Sequence, residues 1–223
     1  MSTDDPDHDH HHDHAHGNAH GPHPAREDDD VKLTYGEAKF LALKGMLIEK
    51  GVLTADEIRQ RLEVNDRGTP HQGARMVAKA WVDPAYKARM LADAKSAARE
   101  LGIEVTEAKL MVMENLPDCH NLIVCTLCSC YPRSLLGEPP AWYVSKAYRS
   151  RAVREPRKVL REFGLSIPET VEVRVHDSNA DLRYIVLPMR PQGTQGASEA
   201  ELAAMVSRDC LVGAALPGSN NRV

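Results

Sequence analysis

Three of the five cysteines in this 223-residue chain lie within six residues, as Cys125, Cys128 and Cys130. A secreted protein that is held together by disulfides spreads its cysteines so that they join distant segments. Because these cysteines are clustered, the sequence favours a metal site or a redox loop over a disulfide framework. The chain is therefore expected to fold around a short loop that carries three neighbouring sulfur atoms.

The spacing Cys-x-x-Cys-x-Cys places three thiolate ligands on one loop after an apolar strand. Zinc and iron–sulfur clusters prefer four ligands, and only Cys119 and Cys210 remain to complete such a set. The backbone nitrogens of Ser129 and Cys130 must lie near any metal that the loop binds. Three sulfurs and two deprotonated amides would favour a trivalent low-spin ion and leave one octahedral position for water or substrate. Spacing alone leaves zinc, a disulfide or redox loop, and inert thiols as alternatives.

Residues 1–30 are low in complexity and contain eight histidines between His8 and His23, interleaved with Asp, Gly and Pro. Such a segment lacks the apolar side chains that would offset the entropy of ordering it, so we predict a disordered tail. Its imidazoles could scavenge or deliver divalent metal. A solvated tail without a specific role, or a tag remnant, is the alternative.

Residues 31–104 are predicted to form a helical arm. The segments 34–37 and 54–57 both have the Thr-x-x-Glu form of a capping box, which begins a helix. Further helices are predicted over 73–81 and 83–102, the second starting at Asp-Pro and ending at a glycine. The apolar stripes of the arm either pack on the chain's own domain or contact a partner subunit; they include Leu41, Ile48, Ile58 and Leu62.

Residues 105–223 are predicted to form the catalytic domain. Apolar runs predict strands over 110–113 and 122–124, and strict alternation predicts a strand over 171–175. We expect 182–187 to pair with 171–175 across the Asp-Ser-Asn turn at 177–179. Helices are predicted over 156–163 and from Ser198 onward. The fold class is therefore α+β, with an N-terminal helical arm followed by a mixed α/β domain that carries the cysteine-rich metal loop.

Composition restricts the location and the partners. The net charge is −4 and hydrophobic residues make up 42% of the chain, so neither nucleic acid nor an anionic membrane is expected as a partner. No apolar run approaches the ~20 residues of a membrane helix. The acidic, His-rich N-terminus lacks the regions of a secretory signal, so we predict a cytoplasmic protein.

The hexapeptide Cys-Thr-Leu-Cys-Ser-Cys at 125–130 resembles the metal-binding motif of nitrile hydratase α subunits and of the related thiocyanate hydrolase γ subunit. The resemblance extends from about residue 73 to residue 213. Its longest segments are Ala-Arg-Met-Val-Ala-Lys-Ala-Trp-Val-Asp-Pro (74–84), Pro-Pro-Ala-Trp-Tyr (139–143), Tyr-Arg-Ser-Arg-Ala-Val-Arg-Glu-Pro-Arg (148–157) and Arg-Tyr-Ile-Val-Leu-Pro-Met-Arg-Pro (183–191).

The resemblance implies one cobalt(III) ion per chain, bound through the sulfurs of Cys125, Cys128 and Cys130 and the backbone nitrogens of Ser129 and Cys130. It further implies that Cys128 is oxidised to sulfinate and Cys130 to sulfenate. The sulfenate oxygen of Cys130, or a hydroxide on the metal, would then attack the nitrile carbon, which makes Cys130 the candidate catalytic residue.

Two loop residues bear on the metal that the resemblance implies. Thr126 and Tyr131 match the cobalt form of the family, whereas the iron form usually carries Ser and Thr at these positions. The resemblance also implies a separate β-type subunit, whose arginines hold the oxidised sulfurs, in a heterodimer or larger heteromer. A metallochaperone-type activator is considered as a further partner.

The implied activity is the hydration of a nitrile to an amide. Arg133 stands where nitrile hydratases usually have Trp, and a cation at the pocket mouth would favour an anionic substrate. The alternative is therefore a thiocyanate hydrolase γ subunit, which converts thiocyanate to carbonyl sulfide and ammonia. A non-catalytic metal-binding protein is the third reading. Four arginines on one predicted helical face either form ion pairs within the subunit or support the site: Arg149, Arg151, Arg154 and Arg157.

Overall fold

The computed structural model describes residues 34–58 and 68–219. The chain divides into two compact units, one that ends at Leu53 and one that begins at Thr54. The predicted tail over residues 1–30 and the apolar residue Leu62 lie outside the described residues. The predicted division into tail, arm and catalytic domain is not tested by the structure and stays a prediction.

The first unit contains helix α1 (Tyr35–Glu49). Thr34 caps it as predicted: its hydroxyl accepts a hydrogen bond from the Glu37 backbone N–H, and the Glu37 carboxylate accepts one from the Thr34 N–H at 2.7 Å. The helix contains no buried residue, and large apolar side chains such as Phe40 (65% exposed) and Leu43 (55% exposed) face solvent.

The second unit begins with another capping box, in which the Glu57 carboxylate accepts from the Thr54 N–H at 2.7 Å. Helix α2 (Pro70–Val82) follows and buries one face. The predicted single helix over 83–102 is wrong: it is divided into α3 (Pro84–Ala92) and α4 (Ala94–Glu100). Asp93 between them is extended, because its carboxylate accepts hydrogen bonds from Ser96 and caps α4.

Four strands form two parallel pairs in this unit: β1 (Lys109–Glu114), β2 (Cys119–Val124), β3 (Glu172–Asp177) and β4 (Leu182–Leu187). β1 pairs with β4, and β2 pairs with β3. The predicted hairpin between 171–175 and 182–187 is therefore wrong. Asp177 is the last residue of β3, and the chain turns at 179–182, where the Asn179 side chain accepts from the Asp181 and Leu182 N–H groups. The turn carries the chain from one sheet to the other, and it was mistaken for a hairpin because alternation identifies a strand but not its partner.

The remaining helices are short: α5 (Arg133–Leu136), α6 (Ala141–Val144), α7 (Lys146–Arg154), α8 (Pro156–Glu162), α9 (Glu199–Ala204) and α10 (Arg208–Val212). Helices α8 and α9 begin where the sequence predicted, and α9 starts with the capping box of Ser198 and Glu201. The sequence predicted α9 as the last helix, but α10 follows it. The sequence did not reveal α10, because its five residues are too few to show helical periodicity.

The core of the second unit combines aliphatic side chains with four buried tyrosines, and β2 lies inside it with all six residues buried. Helices and strands alternate without a single dominating sheet, so the predicted α+β class, with a cysteine-rich loop in the mixed domain, is confirmed. Within the described ranges, no helix combines the length and the hydrophobicity that crossing a bilayer requires.

Candidate metal centre

The cysteine loop starts at the end of the most buried strand. β2 ends at Val124, and Cys125 follows it fully buried. In the parallel register Val124 lies beside Asp177, the last residue of β3, so both strands end at the same edge. The Ser178 N–H extends the ladder by donating to the Val124 carbonyl at 2.7 Å. The loop therefore emerges from a rigid base.

The three loop cysteines bring their sulfur atoms together. The Sγ atoms of Cys125 and Cys128 are 3.5 Å apart, and those of Cys128 and Cys130 are 3.0 Å apart. All three lie within 4.8 Å of one another, and Cys119 and Cys210 are not members of this group. Cys125 and Cys130 are buried, whereas Cys128 is exposed. A single metal ion can thus contact three sulfurs that reach it from a protected interior.

Backbone amides also face the sulfur cluster. The hydrogen bond from the Cys130 thiol lowers the pKa of Cys128 to about 7, and the backbone N–H groups of Ser129 and Cys130 contribute in the same direction. Burial raises the pKa of Cys130 to about 12. The Cys128 backbone N–H donates to Cys125 Sγ at 3.4 Å, and a donor set of thiolates and backbone amides fits a strong-field metal ion.

Side chains from outside the loop hold both of its ends. The Tyr143 hydroxyl donates to the Cys130 carbonyl at 3.0 Å, and the Tyr148 hydroxyl donates to the Ile123 carbonyl at 2.6 Å. The Asp177 carboxylate accepts two hydrogen bonds from Thr126. Between these anchors the loop turns outward, and its tip at Leu127 is 83% exposed.

A polar network that we call the loop floor lies along β2, the strand that leads into the loop, and is formed by Asn115, His120, Asn121, His176 and Gly213. His120 donates from Nε2 to the Gly213 carbonyl at 2.7 Å, since a carbonyl can only accept, and its Nδ1 lies 3.3 Å from the Asn115 amide nitrogen. The Asn121 side-chain oxygen accepts from His176 Nε2 at 2.8 Å. Each of these buried groups has a partner, so the network fixes the register of β2.

Above the loop is an open cleft of about 460 Å³, which is lined by Thr106, Glu107, Ala108, Cys128, Ser129, Cys130, Tyr131, Arg133, Ala180 and Arg183. We call Cys128, Arg133 and Arg183 the cleft mouth. Arg133 is 45% exposed and donates to the Glu138 carboxylate at 2.8 Å. In the described part of the chain, the buried Nε and Nη1 atoms of Arg183 have no hydrogen-bond partner. The mouth therefore carries two guanidinium groups, of which that of Arg133 is paired with Glu138, and the Glu107 carboxylate also lines the cleft.

The residues that the sequence assigned to the metal and the pocket come together in this cleft. Cys128, Ser129, Cys130 and Arg133 line it, and Cys125 lies directly below. Arg133, which the sequence places at the pocket mouth, lines the cleft in the structure and also pairs with Glu138. Their assignment as metal ligands, catalytic residue and substrate contact stays a prediction.

The four arginines of the predicted helical face make their hydrogen bonds and ion pairs within this chain. Arg151 pairs with Glu155 and Glu162, and Arg157 donates to three backbone carbonyls near Val171. Only Arg149 reaches the loop, where Nη1 donates to the Thr126 carbonyl at 3.4 Å. Sequence reasoning missed Asp177 and Arg183 as neighbours of the site. The only available signal was that Asp177 ends an alternating strand, which does not reveal that β3 lies beside β2.

Comparison with known proteins agrees with this geometry. Residues 34–215 match the family described as the nitrile hydratase alpha chain. The chain belongs to this family. The predicted resemblance is thereby confirmed, and the match covers the cysteine loop, the loop floor and the cleft.

Two relatives and one solved structure are similar to most of the chain. The α subunit of the low-molecular weight cobalt-containing nitrile hydratase of Rhodococcus rhodochrous is 49% identical over 183 residues, which cover 81% of this chain and 88% of that one. The γ subunit of Thiobacillus thioparus thiocyanate hydrolase is 44% identical over 189 residues, 79% of this chain and 78% of that one. A structure of recombinant thiocyanate hydrolase with partially modified cobalt centres superposes with a TM-score of 0.72 at 42% identity, covering 83% and 91% of the two chains.

Proposed function

We propose that this chain is the metal-carrying α subunit of a cobalt-dependent nitrile hydratase, which adds water to a C≡N bond and yields the amide. The observation that carries the proposal is the group of three cysteine sulfurs within 4.8 Å at the base of an open cleft. Two relatives at 48–49% identity are described as cobalt-containing nitrile hydratase α subunits.

The donor atoms of the loop fit one cobalt(III) ion per chain. Cys125, Cys128 and Cys130 would hold it through sulfur, and Ser129 and Cys130 through backbone nitrogen. Soft thiolates with deprotonated amides suit a low-spin trivalent ion better than zinc. When bound, the ion supplies a Lewis-acidic position at which a nitrile is activated toward water.

The chain's own residues prepare this chemistry. Cys128 is the exposed member of the three, so it is the sulfur most open to an oxidant such as dioxygen, and sulfinate is the proposed product. Cys130 is 9% exposed and is held by Tyr143, a position that suits a less oxidised sulfenate which remains reactive. We assign Cys130 as the catalytic residue because it faces the cleft.

Arg133 is the proposed determinant of substrate class. A guanidinium at the cleft mouth raises the local concentration of anions and opposes the burial of an apolar nitrile tail. This charge, together with the unpaired nitrogens of Arg183, favours thiocyanate hydrolase γ subunit as the second candidate. A non-catalytic metal-binding protein remains the third candidate. Turnover of a nitrile or of thiocyanate by the metal-loaded protein would distinguish the two enzymes from it.

The proposed partner is a β-type subunit of the same enzyme, in a heterodimer or a larger heteromer, with a metallochaperone-type activator as a further partner. The cleft is open to solvent on the described chain, so a second subunit is needed to enclose a small substrate. A cytoplasmic location also stays a prediction.

The test is to co-express the chain with its β-type partner in cobalt medium and to measure bound metals, nitrile turnover and thiocyanate turnover in one preparation. We expect about one cobalt per chain and release of amide from a nitrile. Peptide mass spectrometry should find two added oxygens on Cys128 and one on Cys130, with Cys125 unmodified. Cobalt-loaded protein that hydrolyses only thiocyanate would replace the first candidate with the second, and cobalt-loaded protein without either turnover would leave the third.

A further inference from the structure

Asp177 is the polar side chain outside the loop that contacts the loop most extensively. Its Oδ1 accepts a hydrogen bond from the Thr126 backbone N–H at 2.9 Å, and its Oδ2 accepts one from the Thr126 hydroxyl at 2.5 Å. Both carboxylate oxygens therefore bind one residue, which lies between the first and the second cysteine of the cluster.

The base of this contact is rigid. Asp177 lies beside Val124 in the β2–β3 register, and the next residue, Ser178, is 1% exposed and bonded to the Val124 carbonyl. A carboxylate that is fixed to the strand end can transmit the position of the strand to the loop. Two hydrogen bonds to an ionised acceptor fix both the position and the direction of the peptide that they bind.

Thr126 is held from a second side as well. Arg149 of α7 donates from Nη1 to the Thr126 carbonyl at 3.4 Å. The N–H, the hydroxyl and the carbonyl of Thr126 thus all bind groups outside the loop, whereas the adjacent Leu127 is 83% exposed. The direction in which the chain leaves Cys125 is set at Thr126, and this direction decides whether the Cys128 sulfur arrives beside the Cys125 sulfur.

We propose that Asp177 is a positioning residue of the metal centre, which acts through Thr126 to hold the Cys125–Cys130 loop in the conformation that brings the three sulfurs together. It does not touch the metal or the substrate. The proposal rests on the cobalt site of the proposed function, but not on the reaction catalysed there. Groups that orient metal ligands typically change metal affinity by ~10-fold to 100-fold when they are removed.

The experiment uses the complete enzyme, co-expressed with its β-type partner over a series of cobalt concentrations. The variants are Asp177→Ala, Thr126→Val, their double variant, and Thr126→Ser, which keeps the hydroxyl. Asp181→Ala is the matched control, because it removes an exposed carboxylate four residues farther along the chain whose side chain has no hydrogen-bond partner in the described structure. Cobalt per chain, the sulfur-to-cobalt absorption band and the melting temperature are measured.

For Asp177→Ala, we expect the cobalt concentration at half-occupancy to rise by ~10-fold or more and the absorption band to shift. Thr126→Val should move both readouts in the same direction, and should add nothing in the Asp177→Ala background, because both act on one contact. Thr126→Ser keeps the hydroxyl and should therefore change both readouts less than Thr126→Val, and Asp181→Ala should resemble the wild type.

An unchanged band and occupancy in Asp177→Ala would overturn the proposal, and so would a lowered melting temperature as its sole effect. Full additivity with Thr126→Val would also overturn it, since the two residues would then act separately. Failure of the proposed function would look different. A wild-type enzyme that binds cobalt but does not hydrate nitriles would end that function, while the comparison of variants would still decide the role of Asp177.

Discussion

The loop floor lies along the strand that leads into the cysteine loop, whereas the cleft mouth lies beside the loop itself, and the two regions differ in how their polar groups are satisfied. In the floor, His120 and Asn121 are buried and hydrogen-bonded to fixed partners. In the mouth, Arg133 is half exposed and makes one surface ion pair, and Arg183 has unpaired nitrogens in the described structure.

This difference indicates that the loop floor contributes to folding stability and the cleft mouth to substrate choice. A buried polar network with all groups paired is costly to change, because any lost partner leaves a desolvated group behind. A solvated ion pair contributes little to stability and can change at small cost. We therefore expect substitutions in the floor to alter the folding stability, and substitutions in the mouth to alter which substrate is accepted.

The largest effect is expected from Gly213→Ala in the floor. Gly213 has φ +87°, and an added Cβ would lie 1.9 Å from the Asn121 carbonyl oxygen. Strain and overpacking together should lower the free energy of unfolding by about 2–5 kcal/mol, as measured by denaturant titration. Gly193→Ala is the control, since Gly193 has φ +78° but no atom within 4 Å of an added Cβ. Equal losses in both variants would show that the close contact in the floor is unimportant.

A smaller effect should follow from acidification. Burial lowers the pKa of His120 below its usual 6.5, and burial also lowers that of His176. The unfolded state then binds more protons, so this contribution to stability is complete above about pH 6.5 and is lost as the pH falls toward the folded-state value. The free energy of unfolding should therefore decrease below pH 6.5.

The variant His120→Gln should make this pH dependence shallower, and His176 should retain part of it. His71→Gln serves as the reference, because His71 is exposed. If His120→Gln and the wild type have the same slope between pH 6.5 and pH 5, the floor does not depend on a neutral imidazole at position 120.

The smallest effect on stability, and the largest on specificity, is expected from Arg133→Trp in the mouth. The loss of its exposed ion pair with Glu138 should change the free energy of unfolding by less than ~1 kcal/mol. Turnover of neutral nitriles should rise relative to thiocyanate, because the charge that attracts anions is gone. Steady-state kcat/KM for one nitrile and for thiocyanate at two salt concentrations measures this.

The anion preference of the wild type should weaken as salt increases, since ions screen an exposed charge. Arg161→Trp is a suitable control, because Arg161 is an exposed arginine that does not line the cleft. An equal change of kcat/KM for both substrates in Arg133→Trp would contradict a role in specificity and would favour nitrile hydratase over thiocyanate hydrolase.

The clustering of the three cysteine sulfurs was predictable from sequence because its information is local. Three cysteines within six residues must place their sulfurs close together, and capping boxes at Thr34, Thr54 and Ser198 mark helix starts by residue type alone. The fold class also followed from local periodicity, and the family from the hexapeptide itself.

Strand pairing and the surroundings of the loop were not predictable, because they depend on distant parts of the chain. The turn at 177–179 suggested a hairpin, yet β3 pairs with β2, and this pairing brings Asp177 to Thr126, 51 positions away. The break between α3 and α4 was missed because Asp93 lies inside a sequence with an otherwise helical pattern. Its side chain caps the next helix and so interrupts the first one.

X-ray absorption at the cobalt edge of the purified heteromer tests most directly whether Cys125, Cys128 and Cys130 together hold one cobalt ion. We predict one cobalt per chain, surrounded by three sulfur atoms and by two nitrogen atoms of the Ser129 and Cys130 amides, with Cys128→Ser and Cys130→Ser each losing one sulfur neighbour. A cobalt shell without sulfur, or wild-type protein that holds zinc in place of cobalt, would contradict the account.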